Sequence, residues 1–144
     1  MNNAHILIID DDPDILTAGK LLLKRNFTNV TAINNPRDIQ DHQASGNIDV
    51  YLLDMNFGPG KSSGQEGIDW LRTIKDNDSD AVVVMITAHG GVRTAVEAMK
   101  HGASDFITKP WQNEKLIATV SAAVDLSKSR KEAASLKSRT SVLA

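Results

Sequence analysis

Five times along this chain of 144 residues, an apolar run of strand length gives way to a pattern with helical spacing. The runs centre on Ile6-Leu7-Ile8-Ile9, Val30-Thr31-Ala32-Ile33, Val50-Tyr51-Leu52-Leu53, Val82-Val83-Val84-Met85-Ile86 and Phe106-Ile107. Strands that each lead into a helix run parallel, and their helices must cover both faces of the sheet. The third and fourth runs are apolar throughout, as strands buried on both faces are. The pattern predicts strands at about 5–10, 29–33, 49–54, 81–87 and 105–108. Helices are expected at about 13–25, 36–44, 66–77, 92–101 and from 112 onward, with Pro13 in a first turn and Gly102 as a stop. Residues 57–67 hold four glycines and a proline and read as a loop. The expected fold is α/β, a doubly wound (βα)5 five-stranded parallel sheet.

In such sheets ligands bind beyond the carboxyl ends of the strands, at the topological switch point. The residues that end the strands are therefore the ones to read. They are Asp10-Asp11-Asp12 after the first, Asp54 at the end of the third, Thr87 at the end of the fourth and Lys109 after the fifth. Clustered carboxylates repel one another, and desolvation adds to the cost. A hard divalent cation resolves that conflict, and an all-oxygen set suits Mg²⁺, with Asp11 and Asp54 as the two carboxylate ligands. A carboxylate beside such an ion can also act as a nucleophile towards phosphorus. Lys109 would then neutralise phosphoryl charge, and Thr87 would donate a hydrogen bond to a phosphoryl oxygen.

Composition narrows the classes further. The formal net charge is −2, but residues 1–126 carry 17 acidic and 11 basic residues (−6) while 127–144 carry 1 and 5 (+4). An acidic body argues against nucleic-acid binding by this segment. The basic tail reads as a solvated helix or linker, with a weak heptad in Leu126, Ala133, Thr140 and Ser129, Leu136, Leu143. There is no cysteine, so no disulfide framework and no thiolate metal site. The start lacks a basic signal-peptide region, and no apolar run approaches the roughly 20 residues of a membrane span. The expectation is a soluble cytoplasmic protein that binds no membrane.

With these residues in this order, the chain resembles a response-regulator receiver domain of bacterial two-component signalling, over roughly residues 4–126. The paired acids correspond to Asp10 and Asp11, the phosphoacceptor to Asp54, and the strand-4 hydroxyl and its small neighbour to Thr87 and Ala88. The Lys-Pro pair, joined in the family by a cis peptide bond, corresponds to Lys109-Pro110, and the aromatic switch position to Phe106. The resemblance implies a flavodoxin-like, CheY-like fold with strand order 2-1-3-4-5. It implies a sensor histidine kinase as phosphoryl donor and Mg²⁺, or Mn²⁺ in its place, as cofactor. The backbone carbonyl of Asn56 becomes a third metal ligand, and Asp10 acts through water. Phosphorylation would draw Thr87 inward and let Phe106 rotate. The surface of helix 4, strand 5 and helix 5 would change, and a partner or second copy, through that face or the linker helix, would read it. Such a domain is a regulatory element rather than a turnover enzyme.

The loop after Asp54 is longer than the family's usual one by several residues. Together with Gly-Ala-Ser-Asp-Phe-Ile-Thr-Lys-Pro-Trp and the basic helix that follows, it resembles the receivers of NtrC-type enhancer-binding activators. On that basis residues 1–126 form the receiver and 127–144 a helical linker towards an AAA+ ATPase and a DNA-binding domain. Asp12 is expected to cap the first helix. His89, two residues after Thr87, sits where the family tunes dephosphorylation, or is a solvated loop histidine. Trp70 and Trp111 read as packing residues. His5, His42 and His101 lack metal-ligand spacing and are expected to be exposed. Two alternatives stay open: a haloacid-dehalogenase-like phosphatase with Asp10 as nucleophile, and a stand-alone phosphorelay receiver.

Overall fold

The computed structural model describes residues 2–57, 64–88 and 91–143, with side chains as far as residue 137. Its elements are β1 (Asn2–Ile9), α1 (Pro13–Leu23), β2 (Phe27–Ile33), α2 (Ile39–Ala44), β3 (Val50–Asp54), α3 (Gln65–Asn77), β4 (Val83–Ala88), α4 (Val92–Lys100), β5 (Asp105–Lys109) and α5 (Asn113–Leu143). All pairings are parallel, in the order β2-β1-β3-β4-β5. The doubly wound (βα)5 sheet and its strand order are as expected. The chain leaves β1 towards β2 and returns to the other side of β1 with β3, so the switch point lies between β1 and β3.

Period-2 side-chain alternation divides the interior in two. Ile6 and Ile8, Val50 and Leu52, and Val82, Val84 and Ile86 join Leu23, Leu116, Val120 and Val124 on the α1–α5 face. Leu7 and Ile9, Tyr51 and Leu53, and Val83 and Met85 join Ile39, Ile68, Leu71, Ile74 and Ala98 on the other. Each central strand thus buries both faces, which is why its sequence shows no polar alternation. Trp111 packs against the first cluster, and Trp70 and Phe106 pack against the second.

Several boundaries depart from the sequence expectation for local reasons. β1 begins at Asn2, where Ala4 N–H donates to the Thr28 hydroxyl and that hydroxyl can donate back to Ala4 O, each at 3.1 Å. The second helix opens as a 3-10 turn, Pro36–Asp38, because Asn35 accepts from Arg37 N–H (3.0 Å) and tightens the entry. β4 begins at Val83 rather than 81, since Ala81 N–H turns back to Asp78 O (3.1 Å) and its carbonyl is taken by Lys75 and Arg130. His5, His42 and His101 are half-buried rather than exposed. His5 Nε2 meets the Thr31 hydroxyl at 2.8 Å, and His101 lies 3.4 Å from Glu97.

α5 runs for 31 residues, about 46 Å at 1.5 Å per residue. Its basic side chains grip the amino edge of the sheet, opposite the strand ends singled out above. Lys128 reaches Asn2 Oδ1 (3.1 Å), Arg130 the carbonyls of Asp80 and Ala81 (3.4 and 3.3 Å), and Lys131 the Asp49 carboxylate (2.7 Å). Among the described residues no helix is long and apolar enough to cross a membrane.

Candidate functional site

Register alone brings the strand-end residues together. Ile9 pairs with Leu53, Leu53 with Met85 and Asp54 with Ile86, so Asp10 and Asp54 stand level on adjacent strands. Thr87 lies opposite Thr108, and Lys109 opposite Ala88. Asp10, Asp11 and Asp54 each offer a carboxylate oxygen, and the three lie within 4.8 Å of one another. Asp10 is fully buried and Asp54 is 5% exposed, whereas Asp11 is exposed. Asp12 is turned away from the cluster as N-cap of α1, accepting from Asp14 N–H at 2.9 Å.

One cation answers the two buried acids. Lys109 Nζ lies 2.8 Å from Asp10 Oδ2 and 3.4 Å from Asp54 Oδ1. The peptide bond that follows, Lys109-Pro110, is cis, as expected. Asp10 Oδ1 accepts from Asp12 N–H (3.0 Å). Asp10 Oδ2 meets the ammonium off the hydrogen-bonding direction, so it has a counter-charge but no aligned donor.

The electrostatics follow from this count. Burial, and then the neighbouring Asp10 charge, push the Asp54 carboxyl from 3.8 up to about 7, although Lys109 and the Asn56 N–H oppose them. Burial also works against the Lys109 ammonium. Its contact with Asp10 and the charges of Asp54 and Asp10 outweigh that and hold its pKa above the ordinary lysine value. The two buried carboxylates thus share the Lys109 ammonium. The site's donor set is all oxygen, it has three convergent carboxylates, and one buried oxygen lacks an aligned donor. These features fit a hard divalent cation such as Mg²⁺.

Thr87 is buried, with its hydroxyl 3.4 Å from the carbonyls of both Ala88 and Gly91. Phe106 is half-buried on the α2–α4 side of β5, opposite Met85. Asn56 directs its N–H to Asp54 and its side-chain oxygen to Gly64 N–H (2.7 Å) at the far end of the long loop. His89 lies outside the described residues, as does most of that loop. Sequence reasoning missed the Asn56 side chain and the first turn of α4 at Gly91 and Thr94. A glycine before a helix with threonine three residues on was the available signal.

The receiver-domain profile of response regulators matches residues 6–121. The chain is 35% identical over 140 residues to the nitrogen assimilation regulatory protein NtrX of Azorhizobium caulinodans, covering 95% of this chain and 30% of that protein. It superposes at a TM-score of 0.77 and 40% identity on the N-terminal signal receiver domain of a two-component response regulator from Bacteroides fragilis, covering 86% of this chain and 98% of that one. NtrX from Brucella abortus superposes at 0.82 and 29% identity, covering 98% of this chain and 30% of that one. The chain spans about half the length or less of the curated relatives it matches.

Proposed function

The chain belongs to the response regulator receiver domain family, and from that premise we propose that Asp54 is the phosphoacceptor of a signalling switch. The observation that carries this reading is the placement of Asp54. It is a nearly buried carboxylate, level with a second buried acid, within reach of one ammonium and one hydroxyl-bearing strand end. An oxygen of Asp54 attacks the phosphorus of a phosphohistidine on a sensor kinase. The P–O bond forms as the P–N bond breaks, and the imidazole keeps the electron pair. Lys109 sits where it can turn from Asp10 to a phosphoryl oxygen, and Thr87 Oγ1 can donate to another.

Asp11 and Asp54 would hold Mg²⁺ (or Mn²⁺) with the Asn56 carbonyl, and Asp10 would act through water. Bound there, the ion supplies the positive charge that keeps Asp54 ionised. The movement of Thr87 then makes room for Phe106 and alters the α4–β5–α5 surface. A second copy or an output domain reads that surface or the helix beyond residue 126. By resemblance to the NtrC-type activators, α5 would serve as a linker towards an AAA+ ATPase and a DNA-binding domain in a cytoplasmic transcriptional regulator. The match to the receiver family favours this reading over the dehalogenase-like alternative.

Acetyl phosphate with Mg²⁺, followed by mass mapping, tests the assignment. The label is expected on Asp54 and absent from Asp54→Ala. Label on Asp10, or labelling that persists in the variant, refutes it.

A further inference from the structure

The carbonyl of Gly91 is oversubscribed. Gly91 is the N-cap of α4, and its oxygen receives Ala95 N–H at 3.0 Å, the helix's own first bond. The Thr94 hydroxyl donates to the same oxygen at 2.8 Å, and the Thr87 hydroxyl approaches it at 3.4 Å. A carbonyl has two lone pairs, so three donors cannot all be well satisfied, and by distance Thr87 is the one left over. Its other acceptor, Ala88 O, is also at 3.4 Å and already takes Gly91 N–H at 2.9 Å. The Thr87 hydroxyl is thus buried beside the acidic site but firmly committed to nothing.

Two glycines keep Thr94 in this position. A Cβ on Gly91 would collide with the Thr87 hydroxyl and lie 3.3 Å from Thr94 Oγ1, so only glycine lets strand end and helix approach this closely. Gly64, at φ +76 and tied to Asn56, accommodates the Thr94 methyl, which a Cβ there would meet at 2.9 Å. With its methyl seated on Gly64, Thr94 directs its hydroxyl at Gly91 O.

We propose that Thr94 is a positioning residue. By occupying the Gly91 carbonyl it keeps the Thr87 hydroxyl available to a phosphoryl oxygen. The inference rests on the reading of Thr87 as the phosphoryl-sensing hydroxyl. Removing the Thr94 hydroxyl frees a lone pair on Gly91 O. Thr87 takes it, and its resting position becomes the more stable one.

The test is the binding of beryllofluoride in the presence of Mg²⁺, followed by calorimetry on the full chain. Thr94→Val keeps the branched shape and the methyl on Gly64, and is expected to weaken binding about 3- to 10-fold, the worth of one competing hydrogen bond. Thr94→Ser retains the hydroxyl and should bind within about 2-fold of wild type. In a Thr87→Ala background Thr94→Val should cost nothing further, because there is no hydroxyl left to capture. Mg²⁺ affinity without beryllofluoride should be unchanged in Thr94→Val, which a general disturbance of the site would not allow. Wild-type beryllofluoride affinity in Thr94→Val, or a loss that persists undiminished in the Thr87→Ala background, overturns the proposal. Beryllofluoride binding by Thr87→Ala alone that equals wild type overturns instead the reading of Thr87 on which it rests.

Discussion

Replacing Asp54 with asparagine should make the metal-free protein more stable at alkaline pH, although Asp54 stands at the heart of the site. Its carboxyl titrates near 3.8 in an unfolded chain and at about 7 in the folded one. Below about pH 4 it is protonated in both states and contributes no difference. Between those values the unfolded chain has released the proton while the folded protein still holds it. Stability therefore falls as pH rises through this window, and the full cost is present above pH 7. Holding the proton over that interval corresponds to about 4 kcal/mol, a ceiling that ionic screening and local relaxation reduce to about 1–3 kcal/mol. Asparagine keeps the shape, removes the charge, and leaves Lys109 paired with Asp10 at 2.8 Å. With an m-value of about 2 kcal/mol per M, a gain of about 2 kcal/mol moves the urea midpoint up by about 1 M. The assay is urea unfolding of both proteins in EDTA at pH 4.5, 6 and 8. The gap should open with pH, and millimolar Mg²⁺ should narrow it by stabilising wild type more. A variant less stable than wild type at pH 8 in EDTA, or a gap of equal size at pH 4.5 and pH 8, would refute the electrostatic account.

Lys109→Gln leaves the fully buried Asp10 without its counter-charge. Removing one partner of a buried pair should cost about 2–4 kcal/mol at pH 8 in urea unfolding, and acetyl phosphate labelling should disappear. Asp12→Ala removes the α1 N-cap bond and should cost about 1 kcal/mol in thermal unfolding. Labelling of Asp54 should persist in it, and a variant that lost Mg²⁺ binding would place Asp12 in the metal site after all. Lys131→Ala releases α5 from Asp49 and the Ile48 carbonyl. Hydrogen exchange should quicken over residues 128–137 with the labelling rate unchanged, and unchanged exchange would count against an anchoring role.

The fold was legible because its strongest signals are periodic. Val82–Ile86 cannot be an exposed strand, and five such runs with helices between them permit little besides a parallel sheet. Asp10, Asp54, Thr87 and Lys109 were legible for a related reason, since each ends a strand and parallel register gathers strand ends on one edge. The boundaries that moved were set by side-chain to backbone bonds with no periodicity: Thr28 on Ala4, Asn35 on Arg37, Lys75 and Arg130 on Ala81. The expectation of exposed histidines failed at His5 for the same kind of reason, because its ring is engaged by Thr31 across the β1–β2 pair. The Gly91–Thr94 spacing was legible as a helix start, but the role of Thr94 was not, because its methyl is seated on Gly64, which is distant in sequence and reaches it only in the folded chain.

The arrangement around Lys109 explains why a site of this kind is poised rather than settled. Among the described residues, the two buried carboxylates share one ammonium. The ammonium lies nearer Asp10 than Asp54, and Asp10 is the more deeply buried of the two. If Lys109 turns towards a phosphoryl group on Asp54, the fully buried Asp10 loses its counter-charge, which is unfavourable by several kcal/mol unless another cation is present. Lys109 can therefore leave Asp10 only when positive charge has already been added to the cluster. The Thr87 hydroxyl is under no such constraint, since its two acceptors at 3.4 Å hold it weakly. Under the proposed switch, movement at the strand-4 end would be gated by competition for one carbonyl, and movement at the strand-5 end by charge balance. Coupling of about 1–3 kcal/mol at either, a 5- to 150-fold bias, would be enough under that proposal for a small change at Asp54 to reach the α4–β5–α5 side of the domain.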